Sequence, residues 1–284
     1  MALGCSLAWA IAVLLFRRAS DVDPDALNLF KNTLASSLLV VTLFATGGHF
    51  DLHRSARDWV LLVTSGVLGL AIADTLFLAG LRRVDASVVA ICDCAYSPTV
   101  VLLGALVLRE HIGVGVLLGA PLVVAGLLMV SWKTKRGMDR APDRKGVALA
   151  VIGVITTAIG VVTAKPALAS SALIEATTVR LLSGTMALFL FQIVTGRARR
   201  ALRILVPNPA WKLLVPATFL GTYLAVIFWL GGMKYGLASR AALLNQTGAI
   251  LVLVLSRFFG ERIPRRRWLG AAVAIAGVFV VIAT

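Results

Sequence analysis

Long apolar runs separated by short polar gaps dominate the chain. The first run, Ala2 to Phe16, ends at Arg17-Arg18 and reaches spanning length only by continuing toward Val22 with the arginines snorkelling. The others cover Pro24 to Ala45, Trp59 to Leu81, Ala86 to Leu108, Gly113 to Trp132, Gly146 to Ala164, Ala172 to Val194, Leu213 to Tyr235, Ala238 to Phe259 and Trp268 to Ala283. A helical span needs about 20 apolar residues. The runs are too long for strands and do not alternate. The pattern predicts an all-α integral membrane protein of about ten transmembrane helices. The charged stretch 133–145 reads as a linker between a first unit, 1–132, and a second, 146–284.

The two units repeat one another. Leu118-Gly-Ala-Pro-Leu-Val-Val-Ala-Gly126 matches Leu269-Gly-Ala-Ala-Val-Ala-Ile-Ala-Gly277, with first glycines 270 − 119 = 151 apart. Glu110 and Glu261 keep that spacing, as do Ile112 and Ile263. Upstream the offset becomes 152, pairing Gly69 with Gly221, Gly80 with Gly232 and Ala86-Ser87 with Ala238-Ser239. Each unit therefore holds five spans. Copies with an odd span number sit upside down relative to each other, an architecture of secondary transporters with a binding site near the midplane.

Composition narrows the class. Charged residues make up 14% of the chain and hydrophobic ones 59%, against roughly 25% charged in soluble domains. The net charge of +15 sits in the gaps between apolar runs. There it sets topology and meets anionic headgroups of the bilayer, so no nucleic-acid partner is expected. Cys5, Cys92 and Cys94 fall inside apolar runs and give no disulfide framework. Cys92-Asp93-Cys94 is no metal pair, because residues two apart on a helix point about 200° apart. The N-terminus lacks a positive n-region, so the first run is expected to be retained. No Walker A pattern, H-E-x-x-H or G-x-S-x-G is present. No catalytic residue, cofactor or metal is expected. The partner is a small-molecule substrate, and the chain is a monomer or homodimer.

The ends of the fourth and ninth spans, Leu108-Arg-Glu110 and Phe259-Gly-Glu261-Arg-Ile, each lead into a Leu-Gly-Ala-x-x-x-x-Ala-Gly helix. With Ala-Ser upstream of each, the chain resembles the EamA-type branch of the drug/metabolite transporter superfamily over nearly its whole length. That resemblance implies a ten-helix exporter or exchanger of small metabolites or drugs, with a central cavity, in the plasma membrane. The fourth span has the proline expected from the resemblance, Pro98, whereas the ninth has Ala249 at the matching place.

Charged groups inside a bilayer cost roughly 2.5–3.5 kcal/mol each. Four stand well inside apolar runs: Lys31, Asp74, Asp93 and Arg180. At 1.5 Å per residue, Lys31, Asp74 and Asp93 lie on the order of 10 Å below one face. Arg180, Asn245 and Gln246 lie at a similar depth below the other. These six, with Tyr96, are the expected lining of a hydrated cavity; the alternative is a buried ion pair, Asp93 with Lys31, that fixes helix register. Asp93 is the candidate coupling residue, since an apolar site favours its neutral form and a nearby lysine its charged form. Asp74 is its rival. Pro98 is the candidate kink of a gating helix. Trp9 and Trp229 are assigned to lipid packing, and Gly115, Gly119, Gly270 and Ala274 to close helix contacts. Glu110 and Glu261, beside Arg109 and Arg262, are assigned structural roles at helix ends.

Orientation is contested. Twenty basic residues lie in odd-numbered loops, six in even loops and two inside spans, together the chain's 28. The positive-inside rule then places both termini outside, whereas the family resemblance implies that they are cytoplasmic.

Overall fold

The computed structural model describes residues 2–108, 114–131, 142–235, 248–249, 251–258, 260 and 263–283. Regular structure among them is helical, with no strand. The main helices are α1 (Ala2–Arg18), α2 (Pro24–Ala45), α3 (Ala56–Arg83) and α4 (Ala86–Asp93, resumed over Tyr96–Leu108). They continue as α5 (Val114–Ser131), α6 (Arg144–Ser170) and α7 (Leu173–Val194). Then follow α8 (Trp211–Thr218, Phe219–Leu224 and Ala225–Tyr235), α9 (described over 251–258) and α10 (Arg265–Ala283). Among the described residues six helices, α2, α3, α4, α6, α7 and α8, are long and apolar enough to cross a membrane. Large apolar side chains such as Phe44, Leu106, Val194 and Phe258 stand on the exterior, where lipid can cover them.

Local chemistry moves several expected boundaries. The third helix begins at Ala56 rather than Trp59, because Ser55 accepts the Asp58 N–H at 3.1 Å and caps it. The sixth runs from Arg144 to Ser170, well past Ala164. Asp143 caps its start, accepting the Lys145 N–H at 3.1 Å, and Pro166 is absorbed inside it. The fourth, expected to be continuous, breaks at Cys94-Ala95. Pro98 has no N–H to give the Cys94 carbonyl, and its ring crowds that carbonyl. The chain tightens there, with the Cys94 and Ala95 amides donating to Ile91 and Cys92 at 3.1 and 3.0 Å.

The halves are related helix by helix, and α2 and α7 show how. Both have 22 residues, and an offset of 149 superposes Lys31 on Arg180. It also superposes Ser36 on Thr185, and these two equivalent residues hydrogen-bond to each other at 3.0 Å. To one side of that contact Leu29 packs with Leu188; to the other Leu39 packs with Leu181. The two helices are thus antiparallel and meet at equivalent residues.

α3 and α8 carry the second signature. Each contains a π-helical segment, Val67–Ala73 in α3 and Phe219–Leu224 in α8. Their starts are 219 − 67 = 152 residues apart, the offset read from the glycines. A π segment leaves carbonyls without the usual i+4 donor. In α3 these are met from α2. Asn28 Nδ2 donates to the Leu70 and Ala71 carbonyls at 3.0 and 3.1 Å, and Asn32 Nδ2 to Leu70 at 3.0 Å.

Close helix approach fixes the rest. α6 presents Gly146, Gly153 and Gly160, one every two turns, to α3. A Cβ at Gly153 would stand 2.8 Å from the Phe77 amide nitrogen. α5 and α10 pack likewise, with a Cβ at Gly126 only 2.6 Å from the Gly270 carbonyl and one at Gly277 2.6 Å from that of Gly119. Glu110 and Glu261, with Arg109 and Arg262, lie outside the described residues.

Candidate functional site

A cavity of about 130 Å³ opens between the halves. Its wall is built from equivalent positions. Gly69, Leu70 and Asp74 come from α3, and their counterparts Gly221, Thr222 and Val226 from α8. Gly69, Leu70, Gly221 and Thr222 lie within the π segments, and Asp74 and Val226 just after them, where the extra residue of each segment re-aims the side chains. The cavity is therefore lined by both repeats.

Five of the residues singled out by charge or polarity line it: Lys31, Asp74, Asp93, Tyr96 and Arg180. Asn245 and Gln246 lie outside the described residues. Lys31 is buried and its Nζ pairs with Asp74 Oδ2. It also reaches Asn32 Oδ1 at 3.4 Å. The Lys31 partner is thus Asp74 and not Asp93. Lys31 and Asp74 sit on α2 and α3, the helices that Asn28 and Asn32 clamp together, whereas Asp93 closes the first segment of α4.

Asp93 is half-buried and makes no ion pair among the described residues. It is the last residue before the break at Cys94-Ala95, with Tyr96 opening the next segment. Pro98, one turn after the break, is buried. Arg180 is 3% exposed. It lies within electrostatic reach of Asp74 and Tyr96 but bonds to neither, and its Nε has no hydrogen-bond partner among the described residues. Tyr96 is 6% exposed, and its hydroxyl is also without a partner among the described residues. Buried polar atoms of this kind are rare in native proteins.

Trp9 and Trp229, expected against lipid, line the cavity instead. Trp9 packs on Phe77 with ring centroids 5.6 Å apart, and Trp229 on Tyr96 at 6.2 Å. The inward turn follows from Gly221, which lets α8 press on Ala12 of α1; a Cβ there would stand 2.5 Å from that of Ala12. Cys5, Thr157 and Thr222 also reach the cavity. The 152 offset could have flagged Thr222 through Gly69 and Gly221, one residue away.

At the rim the halves are tied at both ends. Arg54, between α2 and α3, pairs with Glu175 of α7 at 2.8 Å. The Asp51 N–H also donates to Glu175, at 2.8 Å, and the Arg54 guanidinium covers the Trp59 ring at 5.3 Å. Arg267 of α10 pairs with Asp85 at 2.5 Å, and Arg197 approaches Asp25 to 3.7 Å.

Residues 1–132 and 144–283 each match the model of the EamA-like transporter family. The chain belongs to that family. A solved crystal structure superposes on this EamA-like chain with TM-score 0.67 at 17% identity, covering 98% of this chain and 94% of the other. At that identity the likeness is one of fold. No curated protein matches. The family hit falls in two segments, so the internal repeat and the transporter class rest on the same finding. With the apolar helices, it makes this a multi-pass integral membrane protein.

Proposed function

We propose that this EamA-like transporter is a proton-coupled secondary carrier that exports a small metabolite or drug-like solute from the cell by alternating access. The observation that carries the reading is the cavity itself, walled by equivalent residues of two repeats and holding an ionisable Asp93 with no ion pair among the described residues. In this reading ten helices cross the plasma membrane as two inverted five-helix units. Rocking one unit against the other opens the cavity to each side in turn. The Arg54–Glu175 contact closes one end and the Arg267–Asp85 contact the other; both are formed in this structure, and opening to either side breaks one of them.

Asp93 is suited to coupling by its place at the break in α4. A change in its charge is felt where the helix lacks a regular hydrogen bond, so protonation and bending are linked. A membrane charge without a partner is costly, which favours proton uptake or a ligand before the cavity is sealed. The charge count favours both termini outside the cytoplasm, against the family resemblance, and terminal reporter fusions active only in the cytoplasm decide between the two.

The test is a metabolite efflux screen with the intact chain, followed by proteoliposomes loaded with the solute found and given an imposed proton gradient. Gradient-driven flux that Asp93→Asn abolishes, with the protein still folded, is the expected result. Flux that survives the substitution removes Asp93 from the mechanism. A covalent product in place of flux overturns the carrier reading.

A further inference from the structure

The two halves are unequal in charge at one pair of cavity positions, Asp74 and Val226. Equivalent residues of α2 and α7 are Lys31 and Arg180, at the offset shown by the Ser36–Thr185 contact. Equivalent residues of α3 and α8 are Asp74 and Val226, at the offset of the π segments. The first half therefore contains a complete ion pair, Lys31 with Asp74. The second half keeps the cation and replaces its carboxylate by valine. Val226 and Arg180 nonetheless line the same cavity.

From this asymmetry we infer that Arg180 binds the carboxylate of a ligand, which takes the place that Asp74 occupies in the first half. The inference rests on reading the cavity as the binding site. Arg180 is buried, and its Nε has no acceptor among the described residues. The Tyr96 hydroxyl lies within electrostatic reach of Arg180 and is likewise without a partner among the described residues. A guanidinium only donates and a phenol can donate one bond, so both suit an acceptor, and a planar carboxylate matches the guanidinium fork with two parallel bonds. The aromatic faces of Trp9 and Trp229 suit an apolar body behind that carboxylate.

Charge selects a carboxylate over a phosphate ester. A phosphate monoester carries about two negative charges at neutral pH, whereas Arg180 is the one cation among the described lining residues not already paired. Asp93 shares the cavity, so entry of a monoanion leaves one excess negative charge. A proton on Asp93 removes it, which ties carboxylate entry to proton uptake.

The test uses the detergent-solubilised full chain and carboxylates from acetate to cinnamate, each beside its uncharged amide, at pH 7. Binding is read as a rise in the thermal midpoint followed by tryptophan fluorescence. At least one carboxylate is expected to stabilise the protein where its amide does not. Arg180→Gln is expected to weaken that carboxylate tenfold or more. Val226→Asp gives Arg180 an internal partner on the pattern of the first half, and is expected to weaken the same carboxylate at least as much while the protein stays folded.

If no carboxylate outperforms its amide on the wild-type chain, the inference fails, whatever the variants do. It fails equally if both variants fold and bind the carboxylate within twofold of wild type. Flux of other solutes without carboxylate binding would sink this inference and leave the carrier reading standing. Carboxylate binding without any flux would do the reverse.

Discussion

Removing one member of the Lys31–Asp74 pair leaves the other charged inside the protein, and the cost can be bounded. The Lys31 side chain is 7% exposed and that of Asp74 18%, its exposed part facing the cavity. Breaking a buried pair from one side costs about 3–5 kcal/mol in soluble proteins. In a membrane protein the unfolded chain also finds polar partners, which trims such values. Lys31→Met and Asp74→Leu should therefore each destabilise by about 2–3 kcal/mol. The double variant replaces two charges by apolar groups that pack in the same space, and should lie within about 1 kcal/mol of wild type. The assay is reversible unfolding in mixed micelles by SDS titration, followed by circular dichroism. Transport should persist in the double variant, because Arg180 and Asp93 are intact. Additive losses in the double variant, or single losses below about 0.5 kcal/mol, would refute the idea that the two side chains act as one unit.

Three further outcomes follow from other contacts. Asn28→Leu leaves the Leu70 and Ala71 carbonyls of the π segment without its amide, and should cost about 1–3 kcal/mol in the same unfolding assay, with faster hydrogen exchange confined to 67–75. Gly126→Ala puts a methyl group where the Gly270 carbonyl lies 2.6 Å away; α5 and α10 must separate, for about 1–3 kcal/mol, whereas alanine at Gly196, with nothing within 4 Å but φ +67, tests backbone strain alone. The Lys145 N–H, and beside it Arg83, hold the Asp143 carboxyl below the usual carboxylate range. Because the folded value is depressed, the cap of α6 is intact above the ordinary carboxylate pKa and is lost as pH falls through the folded value, which faster exchange of the Lys145 amide in acid would show.

Much of the fold was legible because lipid imposes it. Apolar runs such as Pro24 to Ala45 and Ala172 to Val194 differ little from the helices observed. Boundaries set by single caps were less legible, since Ser55 and Asp143 act through one hydrogen bond each while hydropathy averages over many residues. The break in α4 was foreshadowed by Pro98, but its place, a turn earlier at Cys94-Ala95, depends on a carbonyl that the proline cannot serve. The two π segments had no sequence signal of their own and became visible only as a repeated irregularity.

The site was half legible for a related reason. Rarity of charge inside apolar runs picked out Lys31, Asp74, Asp93 and Arg180, and all four reach one cavity. Depth along a helix could not say which cation meets which anion, because partner choice depends on rotation about the helix axes. That rotation is set by small contacts: Asn28 and Asn32 on the π segment of α3, and Ser36 on Thr185 between α2 and α7. The same rotation turns Trp9 and Trp229 inward, which hydropathy reads as lipid contact. The equivalence of Lys31 and Arg180 was hidden because the offset falls from 152 in α3 and α8 to 149 in α2 and α7, so a single repeat spacing slides past it. Once that shift is taken into account, the valine at 226 stands out among the four positions. A repeat that keeps its cation and loses its carboxylate preserves the helix scaffold and leaves one buried charge for a ligand to answer.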